Sequence, residues 1–181
     1  PTRDRRQRQM CIRDRFKMKS SKETLNDNEK LNWLKIEKRF DKIFQYAKKH
    51  KIKVLVDAEE YEVQNAIDEL VLKMMMKYND GDEAVIYNTV QLYRRDRIEY
   101  LKKLIELRDG YRLGFKLVRG AYMEKERQMS IDLGYESPIC KTKRETDNNF
   151  NEALKLLFNN ISGLDVFVAS HNEESNYLAL D

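Results

Sequence analysis

Two cations, Lys116 and Arg119, interrupt an apolar stretch in Gly114-Phe115-Lys116-Leu117-Val118-Arg119-Gly120-Ala121-Tyr122-Met123. A buried strand carries cations at a cost unless they are paired. Strand, cation, glycine and helix in that order form a βα-loop able to hold an anion. The glycine lets the backbone approach a ligand, and the helix N-terminus favours negative charge. Ordinary strand-end charges paired with Asp or Glu fit the spacing equally well. Three further polar residues close apolar runs: Asp57 after IKVLV, Gln91 after AVIYNTV, and His171 after Asp165–Ala169. Each also has a plain structural role open to it: Asp57 as a helix N-cap, Gln91 as a surface amide, and Ser170-His171-Asn172 as a turn with a cap. No Cys, His or carboxylate cluster accompanies His171, so no metal is expected.

The surrounding elements must bring these residues together. Phe16–Asp27 is polar and aperiodic, and reads as a frayed lead-in. From Asn28 to Lys49 the three- and four-residue steps of Leu31, Leu34, Phe40, Ile43, Phe44 and Ala47 predict an amphipathic helix. Ile52–Val56 is a short strand, followed by a helix to Tyr78 with Val63, Ile67, Leu70, Val71, Met74 and Met75 inward and Met74–Met76 filling core gaps. Then come a turn at Asn79–Asp82, a strand over Ala84–Val90, a helix over Arg94–Arg108 and the strand Tyr111–Val118. A helix over Met123–Leu133 stops at Gly134, and a loop containing Pro138 leads to a helix from Thr142 to Asn159. The last strand is Asp165–Ala169, and Asn172 caps a final helix. Strands of about five residues alternating with long helices predict an α/β fold of parallel strands with helical crossovers. No Gly-x-Gly-x-x-Gly follows a strand, which argues against a dinucleotide domain of the Rossmann type. The polar residues fall at strand C-termini, the edge on which βα-barrels build their sites. About four βα units make a partial (β/α)8 TIM-like barrel.

The stretch around Lys116 resembles the signature of the proline dehydrogenase family, flavoenzymes that oxidise L-proline. Four other segments resemble the same family in the same order: Val54–Gln64 (VLVDAEEYEVQ), Tyr87–Arg97 (YNTVQLYRRDR), Pro138–Asn151 (PICKTKRETDNNFN) and Val168–Ser175 (VASHNEES). The resemblance implies a βα-barrel carrying FAD, with hydride transfer from L-proline giving 1-pyrroline-5-carboxylate and electrons passing to a quinone. It implies catalytic roles for Asp57, Lys116 and Tyr122. Asp57 matches the Asp of a DAE(E) motif near flavin and substrate, with Glu59 in its ion-pair network, and Tyr122 walls the proline pocket. Lys116 matches a position that is often Arg, and a cation there stabilises the reduced, anionic flavin. Gln91 matches the amide that bonds the flavin, and Arg119 and Gly120 match its phosphate and ribityl contacts. Thr142, Lys143 and Thr146 fall where the pyrophosphate or adenosine ribose is expected, although capping by Thr142 explains that residue as well. Ser170 stands where the family has Thr, before the cofactor-contacting His171. Only a neutral substrate amine can release hydride, so the activity is expected to rise with pH.

Charge is unevenly placed. The chain of 181 residues has a net charge of +4, and residues 1–15 (PTRDRRQRQMCIRDR), with six Arg and two Asp, hold all of it. A basic arm for nucleic acid is one reading. The other, adopted here, is that 1–15 resembles translated sequencing-adapter read-through and is not native, leaving 16–181 as an incomplete proline dehydrogenase barrel and no nucleic-acid partner. The family's arginine-bearing last helix and its early-strand lysine have no counterpart in the sequence, so the chain reads as a fragment inactive by itself. Two cysteines, Cys11 and Cys140, offer no disulfide framework. No run of ~18 apolar residues occurs, so no transmembrane segment is expected. The family instead implies peripheral attachment at the cytoplasmic face of a bacterial inner membrane, or a mitochondrial location. An alternative enzyme class is an anion-binding βα-barrel lyase with Lys116 forming a Schiff base.

Overall fold

The computed structural model of the protein describes residues 14–21 and 25–180. A short helix α1 covers residues 14–20. It is followed by α2 (Asp27–His50), β1 (Val54–Val56), α3 (Tyr61–Tyr78), β2 (Ile86–Gln91), α4 (Arg97–Leu107), β3 (Leu113–Val118), α5 (Met123–Leu133), α6 (Lys143–Phe158), a 3₁₀ turn (Ile161–Gly163), β4 (Leu164–Val168) and α7 (Glu173–Leu180). Residues 1–13 of the basic N-terminal segment lie outside the described residues.

The four strands pair in the order β1-β2-β3-β4, all parallel. That order decides the architecture. Right-handed crossovers between successive neighbours put every helix on the same face of the sheet. A doubly wound sheet would need a reversal of strand order to place helices on both faces. The result is an arc of a βα-barrel, with a helix-covered outer face and an inner face.

Strand residues obey that division. Ile86, Val90, Leu113, Phe115, Leu117 and Leu164 are buried in one apolar cluster with Val71, Met75, Leu101, Phe150 and Leu154 of the helices. The alternate positions carry Thr89, Gln91 and Lys116 instead, which face the inner side. At the opposite end of the strands, Asn79 is fully buried. Its Nδ2 donates to the carbonyls of Ile86 (2.9 Å) and Arg112 (3.1 Å), while Oδ1 accepts from the backbone N–H of Val85 and Ile86. One amide thereby fixes where β2 and β3 begin.

Three expectations need correction. The described residues 16–21 of the expected frayed lead-in are ordered against the core. Phe16 is buried with its ring 5.2 Å from Trp33, and the Ser20 hydroxyl accepts from Ala66 N–H. In α2 the buried stripe is Trp33, Ile36, Phe44 and Ala47, with Phe40 packed beside it, whereas Leu31, Leu34 and Ile43 are exposed. The helix carries two apolar stripes, and the one bearing the larger aromatics is buried. In α3, Met74 and Met75 are in the core, but Met76 points outward with 59% of its surface exposed. A Met triplet spans too much of the helix circumference for all three to face inward.

Candidate active site

A cavity of about 750 Å³ opens at the C-terminal ends of the four strands, within the range of small-molecule sites. Every strand contributes. Asp57 and Glu59 follow β1, Thr89 and Gln91 lie on β2, Lys116 and Val118 on β3, and Ser170 and His171 follow β4. The loop after β3 adds Arg119, Gly120 and Tyr122, and the first turn of α6 adds Lys143.

Register explains the innermost row. Val56 pairs with Asn88 and Thr89 with Lys116, so Asp57, Thr89 and Lys116 stand side by side across β1, β2 and β3. Lys116 Nζ reaches over Thr89 to Asp57 Oδ1 at 2.7 Å. Asp57 is therefore an ion-pair partner and not the N-cap of α3, whose cap position is Glu60. No ion pair of the Glu59 side chain is found among the described residues, whereas its neighbour Glu60 is buried and bonds Lys125 of α5, apart from the Asp57–Lys116 pair. Glu59 acts through its backbone, donating N–H to Gln64 Oε1 and accepting from Gln91 Nε2 at 3.1 Å.

That last bond orients the Gln91 amide. The side chain is 3% exposed, its nitrogen is used, and its Oε1 finds no hydrogen-bond partner among the described residues. Thr89 Oγ1, also buried, is in the same condition. Unpartnered buried polar atoms cost free energy and are rare without a reason. Thr89 was not foreseen as a site residue; its position two before Gln91 on the same strand was the available signal.

Arg119 is held on every side. Nε donates to Asp147 Oδ1 at 2.6 Å, Nη1 to Ser170 Oγ at 2.7 Å and Nη2 to Ser175 Oγ at 3.0 Å. Its guanidinium lies 4.4 Å from the Phe150 ring centroid. It therefore joins the end of β3 to α6, to the loop after β4 and to α7. Burial tends to raise the Asp147 pKa, but Lys143 and Arg119 outweigh it and hold the carboxyl below its ordinary value. Ser170 Oγ also accepts from Asn172 N–H at 3.0 Å, fixing the loop that carries His171.

Gly120 has φ +130°, and a Cβ there would lie 2.4 Å from the Tyr93 ring. Only glycine fits between that ring and the cavity. Burial pushes the Tyr93 hydroxyl up to about 12, with Glu126 nearby adding to the effect. Thr142 and Thr146 do not line the cavity. Thr142 Oγ1 accepts from Glu145 N–H at 3.2 Å and caps α6, while Thr146 is buried and bonds the Thr142 carbonyl at 3.4 Å.

The donors and acceptors suit a planar heterocycle with a polyanionic tail. Gln91 Oε1 can take an N–H, the Thr89 hydroxyl can meet a carbonyl, and Lys116, Lys143, Gly120 and Ala121 line an anion-tolerant wall. Among the described residues no group of three His, Cys, Asp or Glu could hold a metal.

Comparison with known proteins gives the same direction. The profile of the family described as proline dehydrogenase matches residues 4–181. The carbapenem antibiotics biosynthesis protein CarD of Pectobacterium carotovorum subsp. carotovorum is 38% identical over 145 residues, covering 79% of this chain and 37% of that protein. The mitochondrial proline dehydrogenase 1 of Dictyostelium discoideum is 39% identical over 145 residues, covering 76% and 25%, and that of Homo sapiens 34% over 159 residues, covering 85% and 26%. The chain thus spans well under half the length of these relatives. Among solved structures, proline utilization A from Bdellovibrio bacteriovorus, inactivated by N-propargylglycine, superposes with a TM-score of 0.74 at 25% identity, covering 80% of this chain and 15% of that one.

Proposed function

The chain belongs to the proline dehydrogenase family, and we propose on that basis that its cavity is the flavin-facing part of a site oxidising L-proline to 1-pyrroline-5-carboxylate. When bound, FAD supplies the hydride acceptor, and a quinone is the proposed destination of the electrons. The observation that carries this reading is that Thr89, Gln91 and Lys116 line one strand-end cavity, where the buried Gln91 and Thr89 side-chain oxygens have no partner among the described residues.

The chain's own residues then have distinct tasks. Gln91 accepts from the ring N–H, its amide kept in orientation by the Glu59 carbonyl. Thr89 donates to a ring oxygen. Lys116 places positive charge where negative charge accumulates on reduction, and Asp57 keeps the ammonium in position. Tyr122 walls the side from which a small ring substrate enters and excludes water. Gly120 and Lys143 would hold the phosphate-bearing part of the cofactor, and His171 and Ser170 close the β4 side of the cavity. Arg119 lines the same cavity and holds Ser170 and α7, with three of its five N–H donors engaged by protein. The lyase reading of Lys116 loses its motive beside this family match, and the basic arm behind a nucleic-acid reading falls largely outside the described residues. Among the described residues no helix is long and apolar enough to cross a membrane. Attachment at a bacterial inner-membrane surface or inside a mitochondrion is the corresponding proposal for location.

The test is spectroscopic. FAD titrated with the protein should show quenched fluorescence, and the visible flavin band of protein expressed from its full reading frame should bleach anaerobically on adding L-proline. The bleaching rate should rise with pH as the substrate amine loses its proton. Flavin-loaded protein that proline does not bleach, or a rate flat from neutral to alkaline pH, would count against the proposal.

A further inference from the structure

A buried series of polar side chains runs from α4 through α3 to the cavity wall. Arg97 Nη1 donates to Asp68 Oδ2 at 2.7 Å. Asp68 Oδ1 accepts from Asn88 Nδ2 at 2.9 Å and from Gln64 Nε2 at 2.8 Å. Gln64 Oε1 accepts from the Glu59 N–H at 2.9 Å, and the Glu59 carbonyl accepts from Gln91 Nε2 at 3.1 Å. Arg97, Asp68, Asn88, Gln64 and Gln91 are all buried, and of these five only Gln91 lines the cavity. Packing does not demand this composition. An apolar side chain would fill the place of Gln64 with no partner to find, and buried ionic groups are often replaced by apolar ones without loss of stability. What the polar residues add is direction.

Each link has one permitted orientation. A carboxylate and a carbonyl only accept, and an N–H only donates. Asp68, held by the Arg97 guanidinium, must face the Gln64 amide nitrogen, which turns Gln64 Oε1 to the Glu59 N–H. A flipped Gln64 would set oxygen against carboxylate and NH2 against N–H. Residues 57–60 belong to neither strand nor helix, so no ladder fixes the Glu59 backbone, and the bond from its N–H to Gln64 does so instead. The Glu59 carbonyl in turn claims Gln91 Nε2 and leaves Oε1 as the acceptor without a partner among the described residues. We infer that Gln64 and Asp68 are positioning residues. From outside the cavity they fix which end of the Gln91 amide is available to a ligand, so that the site takes a ring N–H and refuses a ring acceptor. That the ligand is a flavin rests on the proposed function; the orientation of the amide does not.

The test reads the Gln91 amide first and its ligand second. In nuclear magnetic resonance spectra, the side-chain NH2 pair of Gln91 is the one missing from Gln91→Ala. Without flavin, Gln64→Met should make that pair exchange with solvent about tenfold faster or more, while the buried Asn79 side-chain amide at the other end of β2 keeps its rate. Met keeps the length of the side chain, and Asp68 retains Arg97 and Asn88. In a fluorescence titration Gln64→Met should weaken FAD binding about fivefold, the worth of one hydrogen bond. In the Gln91→Ala background the same change should weaken it less than about twofold, because the effect passes through Gln91. A Gln91 amide that exchanges in Gln64→Met as in the parent overturns the inference. So does equal acceleration of the Gln91 and Asn79 amides, or an equal loss of FAD affinity in both backgrounds, either of which would mark a structural role alone. Should circular dichroism show Gln64→Met unfolded, Asp68→Asn, equal in size and no longer an obligatory acceptor, carries the same comparison. The two readings fail separately. A parent that does not bind FAD sinks the flavin, and the amide result still decides the orientation. Flavin bleached by proline beside an unmoved Gln91 amide leaves proline oxidation standing and removes this role from Gln64.

Discussion

Replacing Arg119 by Lys separates a structural strut from a ligand contact. Lysine keeps one cation near Asp147 but cannot span to Ser170 and Ser175 together. A hydrogen bond involving a charged group contributes about 1.5–3 kcal/mol. Neither hydroxyl is left bare, because Ser170 Oγ still accepts from Asn172 N–H and Ser175 Oγ still donates to Asn151 Oδ1. The lower end of the range therefore applies, and two such bonds with the lost stacking on Phe150 amount to about 3.5–4 kcal/mol. Arg119→Met should cost more, about 4–5 kcal/mol, since Asp147 then keeps only Lys143. Urea unfolding measures the global loss. Hydrogen exchange should localise it, with α7 amides and the 170–172 loop exchanging faster in R119K while the amides of β2 do not. An R119K protein within about 0.5 kcal/mol of the parent, with α7 exchange unchanged and FAD affinity down tenfold or more, would refute the strut and make Arg119 a direct cofactor ligand.

Other outcomes follow from single contacts. Gly120→Ala should destabilise by about 2–4 kcal/mol in urea, because the backbone lies at φ +130° and the new Cβ strikes Tyr93. Asp68→Ala should cost about 3–5 kcal/mol by thermal or urea unfolding. It strips the buried Arg97 of a 2.7 Å partner, removes the acceptor of Gln64 Nε2 and leaves Asn88 Nδ2 with only the Tyr100 hydroxyl at 3.3 Å. Lys116→Met should leave stability within about 1 kcal/mol, since Asp57 is largely solvated, yet weaken FAD binding at least tenfold in a fluorescence titration. Alkaline unfolding should reveal Tyr93. Its folded hydroxyl titrates near 12 against about 10 in the unfolded chain, so the native state holds the proton more tightly. That stability is intact below about pH 10 and lost as pH rises toward 12, readable by circular dichroism.

What the sequence makes legible follows physical range. Strands, helices and the strand-end positions of Asp57, Gln91, Lys116 and His171 are local, and the structure places all four on one cavity. Thr142 and Asn172 announce helix starts because Ser, Thr and Asn compete locally for free N–H groups, and both do cap. Contacts across the chain are less legible. Nothing near Asp57 shows that its partner is Lys116, 59 residues on, in preference to the backbone of the next helix. Nor does anything near Arg119 show that its partners are Asp147, Ser170 and Ser175, on two later helices and a loop. The α2 stripe is misread for a related reason. Two apolar faces satisfy the same periodicity, and tertiary packing chooses between them.

Alternation of strand and helix alone leaves two architectures open, the doubly wound sheet and the barrel, and the residues within the strands discriminate between them. A doubly wound sheet is covered on both faces and favours strands apolar at every position. In β2 the apolar Ile86 and Val90 alternate with Tyr87, Thr89 and Gln91, and in β3 Leu113, Phe115 and Leu117 alternate with Gly114, Lys116 and Val118. Period two in a parallel strand means that the two faces meet different surroundings. One meets helices, and the other meets a polar interior and, at its rim, a ligand. Reading the inner set alone yields both the one-sided sheet and the location of the site, because the same geometric fact, helices on a single face, produces both. Substituting Thr89→Val should therefore behave unlike a core change. It removes an unpartnered buried hydroxyl, so stability against urea should hold or rise by up to about 1 kcal/mol, while FAD affinity falls. A Thr89→Val protein that unfolds more easily and binds flavin unchanged would mean that the hydroxyl is satisfied within the protein, and that the inner face at β2 is ordinary packing.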